Sequence, residues 1–258
     1  MNRPESLLKR LDEIGISVSK REGGLALIGL GSVGLETNRL DDFSDLDFYV
    51  ITTTDNKIKF LENLSWLTDI APAAYYFKNT QDGYKFLFED GIFCEFAVFE
   101  EQELEQIVFS PGRVIWKAEG VDSGIAFPKA ALQNTNRSQP IEWLLGEALT
   151  NLYVGLMRDQ RGEKLTAMRF IQVYAADRIL ELSTRTQQVD TSHQADIFNL
   201  ERRYEKRYPQ MAKYLPGLLQ GYEHNRASAR AALFFLDEYF KISPAMKRII
   251  LELSEPKS

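Results

Sequence analysis

Apolar and polar positions change period near the middle of the chain. Residues 5–14 place Leu7, Leu8, Leu11 and Ile14 on one helical stripe, behind an N-terminal stretch MNRPE that reads as a helix cap. Residues 24–29 and 45–52 then read as strands, with a short helix expected over 32–37 and another over 57–65. Three more strands are expected at 69–78, 84–89 and 91–100, joined by tight turns at 79–83 and at Asp90-Gly91. Helical spacing takes over at Ile141 and continues through 141–158, 163–183, 195–208, 226–240 and 244–253. The stretch 109–140, rich in Gly, Pro, Asn and Ser, reads as a linker in which 113–117 could add an edge strand. The expected fold class is therefore α/β (α+β), a mixed-sheet domain over 1–120 followed by a helical bundle over 121–258.

Composition narrows the setting. A chain of 258 residues that is 44% hydrophobic can bury one large or two small cores. No run of eighteen apolar residues occurs and the N-terminal stretch is amphipathic, so a cytoplasmic location without a membrane partner is expected. A single cysteine, Cys94, allows no internal disulfide, and the two histidines lie in polar surroundings that offer little to zinc. Charge is unevenly divided: residues 1–120 carry 21 acids and 12 bases, net −9, while the remainder carries 16 acids and 19 bases, net +3. An acidic first half suits a metal ion or a cationic small molecule, and a basic second half can meet phosphates. No Lys/Arg stripe with interleaved aromatics is present, so long nucleic acid is not an expected partner.

The chemistry concentrates in residues 25–51, LALIGLGSVGLETNRLDDFSDLDFYVI. Strand side chains alternate faces, so Asp45 and Asp47 converge on one side while Leu46, Phe48 and Val50 face the core. Two adjacent carboxylates repel, and a divalent cation between them relieves that repulsion. Magnesium suits such an oxygen-rich pair, since it completes its shell with water and substrate phosphates. Asp41 and Asp42 read as an ordinary solvated turn. Gly29, Gly31 and Gly34 also spell GxGxxG, with Asp55 at the distance a dinucleotide site expects. That site needs a long apolar helix after the third glycine, whereas residues 35–44 are short, polar and acidic.

Gly31-Ser32, the spacer 33–44 and Asp45-Leu46-Asp47-Phe48 together resemble the signature of the DNA polymerase β-like nucleotidyltransferase superfamily. A third carboxylate on a later strand strengthens the likeness, and residues 91–99, GIFCEFAVF, carry Glu95 as their one charge. A glutamate there is costly to bury unless paired or metal-bound; the alternative is a half-exposed edge strand with Glu95 in water. Residues 66–99 resemble the lincosamide nucleotidyltransferases and their aminoglycoside-adenylylating relatives, as does Arg161-Gly162-Glu163 between two amphipathic segments.

The resemblance implies a magnesium-dependent enzyme whose first domain is the catalytic nucleotidyltransferase unit. It would move a nucleoside monophosphate, AMP from ATP, to a hydroxyl of a small molecule such as a lincosamide or aminoglycoside antibiotic. Gly31 and Ser32 would meet the nucleotide's phosphates, and Asp45 and Asp47 would hold one or two Mg²⁺ ions. Glu95 would complete a metal shell or take the proton from the acceptor. Arg161 and Lys164 would supply cations for the phosphates, and a homodimer is a further expectation. Two alternatives stay open: transfer to a protein side chain or an RNA end, as in toxin-linked members, and a catalytically silent nucleotide-binding regulatory module.

Overall fold

A computed structural model describes residues 2–130, 139–196 and 199–255. The chain divides into two compact units, Met1–Thr135 and Asn136–Ser258. The division lies beyond the 120/121 boundary expected from composition because Ile125 and Ala126 are buried beside Ala26 and Ile28 of the sheet.

In the first unit, α1 (Arg3–Ser19) opens with a capping box in which the Asn2 side chain accepts from the Glu5 amide and Glu5 returns to the Asn2 amide. Its buried stripe of Leu7, Leu11, Ile14 and Val18 packs on the sheet. The sheet is built from β1 (Gly24–Gly29), β2 (Leu46–Thr52), β3 (Ala73–Lys78), β4 (Gly83–Phe88), β5 (Phe93–Glu100) and β6 (Arg113–Lys117). Their order is β3-β4-β5-β2-β1-β6, and every neighbouring pair is antiparallel except β2 and β5. Two short helices, α2 (Lys57–Glu62) and α3 (Ser65–Thr68), lie on the connection from β2 to β3.

The two faces of this sheet are treated differently. One is dry: Leu27, Phe48, Val50, Phe86, Phe96 and Val98 pack against α1 and the fully buried Trp66, whose indole N–H donates to the Phe60 carbonyl at 3.0 Å. Burying that nitrogen without a partner would be costly, so the bond lets the ring sit wholly inside. The other face is covered only in part, where Ala26, Ile28 and Ile51 meet Leu104, Phe109, Ile125 and Ala126. Asp47, Lys85 and Glu95 lie on this second face and are only half-buried.

Two local expectations are corrected. Residues 32–37 do not form a helix; two single 3₁₀ turns, Gly31–Val33 and Thr37–Arg39, take their place. The helix expected over 195–208 contracts to α7 (Tyr204–Arg207), with residues 197 and 198 lying outside the described set. There the Asn199 amide bonds the Asp196 side chain, the Glu201 amide bonds the Asn199 side chain, and Arg203 takes φ +63°. Asp and Asn side chains that capture backbone amides offer the chain an alternative to helix, and a left-handed residue ends one.

The other helices described in the second unit are α4 (Ile141–Gln160), α5 (Lys164–Met168), α6 (Ala176–Ser183), α8 (Pro209–Ala212), α9 (Leu215–Leu218), α10 (Asn225–Tyr239) and α11 (Pro244–Ser254). A seven-residue π-helical stretch, Arg169–Ala175, joins α5 to α6. A Cβ at Gly155 of α4 would stand 2.5 Å from Ile171 Cγ1, so the missing side chain admits the widened turn. Leu144, Leu152, Leu156, Ile179, Leu233 and Leu236 form the centre of this core. No helix among the described residues is long and apolar enough to cross a membrane.

Candidate active site

The site begins where β1 ends. The Leu30 amide donates to the Asp47 carbonyl at 2.8 Å, continuing the β1–β2 ladder past Gly29 and tying the following loop to Asp47. Gly31 turns that loop with φ +54°, a left-handed conformation that favours glycine, and a Cβ built there would lie 3.7 Å from Asp47 Oδ2. The Gly34 amide closes the turn on the carbonyls of Leu30 and Gly31 at 3.0 and 3.1 Å. The other two glycines of the GxGxxG string answer to crowding: a Cβ on Gly34 would meet the Gly29 carbonyl oxygen at 2.6 Å, and one on Gly29 would meet that of Val33 at 2.8 Å. With an antiparallel β2 next in the chain and no helix after Gly34, the string belongs to a tight loop and not to a dinucleotide fold.

Arg113, at the start of β6, secures the loop from its far side. Its Nη2 donates to the Val33 carbonyl at 3.0 Å and its Nε to that of Gly34 at 3.3 Å. The Ser32 hydroxyl, half-buried in this turn, makes no hydrogen bond among the described residues.

The carboxylates come from the two parallel strands. Asp45 stands immediately before β2, Asp47 lies within it, and Asp47 is the register partner of Glu95 on β5. In-register residues on adjacent strands project to the same face, with the strands about 4.8 Å apart. Glu95 thus sits on an interior strand and not at an edge, yet its side chain is 44% exposed because this part of the face is uncovered. Lys85 of β4 is the register partner of Glu95 on the other side, with Nζ 3.4 Å from Oε2, and the Asn79 side-chain amide donates to Oε1 at 3.2 Å. Tyr49, two residues along the same face from Asp47, records the local charge. Burial first, then the Asp47 and Glu95 carboxylates, push its hydroxyl above the usual tyrosine range.

Cys94 points the other way. It is fully buried in the core, where burial above all pushes its thiol up, opposed by Arg10 and reinforced by Asp45, Asp47 and Asp90. A protonated, inaccessible thiol is a packing group and not a nucleophile.

Among the described residues no group of three or more His, Cys, Asp or Glu side chains is arranged to hold a metal ion. Of the three carboxylates expected from the sequence, Asp45, Asp47 and Glu95, the last is engaged by Lys85 and Asn79. Arg161 and Lys164 belong to the second unit. Arg161 caps α4, and Lys164, the first residue of α5, is ion-paired with Glu223, which raises its pKa, and lies over the Tyr222 ring. Lys85, Asn79 and Arg113 were not singled out in the sequence. The alternating strand pattern carried the signal for Lys85, but only the register places it beside Glu95.

No protein-family model matches the sequence, and no curated protein matches it. Among solved structures, the chain is similar to an aminoglycoside 6-adenyltransferase from Bacillus subtilis, at 12% identity over 98% of both chains and a TM-score of 0.40.

Proposed function

We propose that this chain is a magnesium-dependent nucleotidyltransferase that moves a nucleoside monophosphate, AMP from ATP, to a hydroxyl of a small molecule, with lincosamides and aminoglycosides as the acceptor class. One observation carries the proposal: the Gly31-Ser32 turn closes against Asp47, and Asp47 is in register with Glu95. A loop that can approach phosphates, carboxylates that can hold a cation and a further carboxylate that can accept a proton thereby share one open sheet face.

The donor set fits magnesium. Asp45 and Asp47 supply two carboxylates beside an open face, and this ion is commonly held by one or two carboxylates with water and phosphate oxygens completing the shell. Bound there, it would neutralise charge at the α-phosphorus and on the departing pyrophosphate. The backbone of the turn approaches the phosphates closely because Gly31 has no side chain, and the Ser32 hydroxyl donates to a phosphate oxygen. Glu95 takes the proton from the acceptor hydroxyl as its oxygen bonds to the α-phosphorus. The phosphorus–oxygen bond to pyrophosphate breaks in the same displacement, and its electron pair leaves with the pyrophosphate.

Charge and exposure support this acceptor class. The first 120 residues carry a net −9, and Tyr75 and Phe77 of β3, on the same face as Glu95, are 58% and 44% exposed. A net-negative unit that also exposes aromatic rings suits a cationic molecule with an apolar face. Lys164 already has a carboxylate partner in Glu223, so the assignment uses residues of the first unit alone.

The test is a pyrophosphate-release assay with Mg²⁺ and each of the four ribonucleoside triphosphates, run against a panel of aminoglycosides and lincosamides, with Asp47→Asn as control. Acceptor-dependent release that is lost in the variant supports the proposal. Nucleotide binding without release for any acceptor in the panel moves the weight to a protein or RNA acceptor, or to a silent module.

A further inference from the structure

Four residues on four neighbouring strands stand in one line across the open face. Phe77 pairs with Lys85, Lys85 with Glu95, and Glu95 with Asp47. Glu95 is thus flanked by a carboxylate on its β2 side and an ammonium on its β4 side. Attraction to Lys85 draws the Glu95 carboxylate toward β4. The geometry agrees: Oε2 lies 3.4 Å from Lys85 Nζ, and Oε1 accepts from Asn79 Nδ2 at 3.2 Å.

Stability does not account for this arrangement. Both side chains of the Lys85–Glu95 pair are more than a third exposed, and such pairs contribute little to folding. Asn79 spends its amide on Glu95 while its own Oδ1 is buried with no partner among the described residues. A buried orphan acceptor is a cost that needs a reason, and orienting a reactive group is one. Each carboxylate oxygen has two lone pairs, so one remains on each after Lys85 and Asn79 are served.

We propose that Lys85 and Asn79 are positioning residues that hold Glu95 as the proton acceptor and keep it out of the metal shell, leaving Asp45 and Asp47 as the protein's metal ligands. The proposal rests on the nucleotidyltransferase reading above and divides the three carboxylates between two duties. Lys85 touches neither substrate; it acts through Glu95.

The experiment combines metal binding with kinetics. Mn²⁺ is titrated into the full chain in the presence of α,β-methylene ATP, with free Mn²⁺ read by electron paramagnetic resonance, for the parent, Asp47→Asn, Glu95→Gln, Lys85→Met and Lys85→Arg. Expected is a loss of about tenfold or more in Mn²⁺ affinity for Asp47→Asn, no more than about twofold change for Glu95→Gln, and affinity equal to or tighter than the parent for Lys85→Met, whose freed carboxylate can join the metal. In turnover, Lys85→Met lowers kcat by about tenfold with the nucleotide KM little changed, and Lys85→Arg restores most of it. Weakened Mn²⁺ binding in Glu95→Gln comparable to that of Asp47→Asn overturns the proposal, as does weakened binding in Lys85→Met, while the nucleotidyltransferase reading stands. Unchanged Mn²⁺ affinity in Asp47→Asn overturns that underlying reading instead. The metal arm decides even before an acceptor is known.

Discussion

Substituting alanine for Gly31, for Gly34 and, as a reference, for Gly91 separates backbone strain from a role in the site. Gly31 and Gly91 both have positive φ, +54° and +82°. A Cβ on Gly91 meets nothing within 4 Å, and one on Gly31 meets only Asp47 Oδ2, at the ordinary contact distance of 3.7 Å. A left-handed L-residue costs roughly 1–2 kcal/mol, and alanine returns roughly 0.4–1 kcal/mol by restricting the unfolded chain, so about 1 kcal/mol is lost at either position. In a unit of this size that is about 4 °C in Tm. Gly34→Ala differs in kind. Its Cβ would stand 2.6 Å from the Gly29 oxygen and 2.8 and 2.9 Å from Leu30 C and Cα, all backbone atoms that cannot rotate away. The turn must shift, at about 1–3 kcal/mol for overpacking. Thermal unfolding and nucleotide binding by calorimetry are measured on all three. Gly31→Ala and Gly91→Ala are expected to lose similar stability, with nucleotide binding weakened in Gly31→Ala and Gly34→Ala only. Parent-like nucleotide binding in Gly31→Ala and Gly34→Ala together would refute the assignment of this turn to phosphates.

Asp47→Asn is expected to abolish transfer, because it removes a cation ligand; normal turnover in that variant would sink the site. In the second unit, Gln172 donates to the Gly221 carbonyl at 2.8 Å and the Asn225 side chain at 2.9 Å, and accepts from the Gly221 amide at 2.8 Å. Gln172→Leu strands these groups, and a loss of about 2–4 kcal/mol in urea unfolding is expected. Burial pushes the Tyr204 hydroxyl up to about 12 from 10.0, against the pull of its hydrogen bond with Ser183. Since the native value lies above the unfolded one, this contribution is complete below pH 10 and is lost as pH climbs from 10 toward 12. Urea midpoints over that range should fall more steeply for the parent than for Tyr204→Phe, and parallel slopes would contradict the assignment.

The strands were legible where period and punctuation agreed. Residues 91–100 alternate Phe93, Glu95, Ala97 and Phe99 against Cys94, Phe96 and Val98, and β5 keeps that alternation, with the second set in the core. The amphipathic helices α1, α10 and α11 were legible for the same reason, since one apolar stripe per helix is a strong local signal. Residues 195–208 have helical spacing too, but Asp196 and Asn199 bond nearby amides and break it, a competition that hydropathy does not record. In the site, Asp47 and Glu95 stood out as charges within apolar runs. Lys85 and Arg113 did not, because a lysine on a half-exposed strand and an arginine at an edge strand are unremarkable until register and tertiary approach reveal what they touch.

The sheet order also governs how the first unit can be made. β1 is an interior strand whose outer neighbour is β6, and their register pairs Ala26 with Lys117, 91 residues later in the chain. On a ribosome, β1 therefore leaves the exit tunnel well before the strand that seals it, and its outer row of amides and carbonyls stays open while β2 to β5 are synthesised. Such an edge invites pairing with another nascent chain. β6 thus closes that row late, so a product truncated before residue 113 leaves the outer row of β1 exposed for pairing.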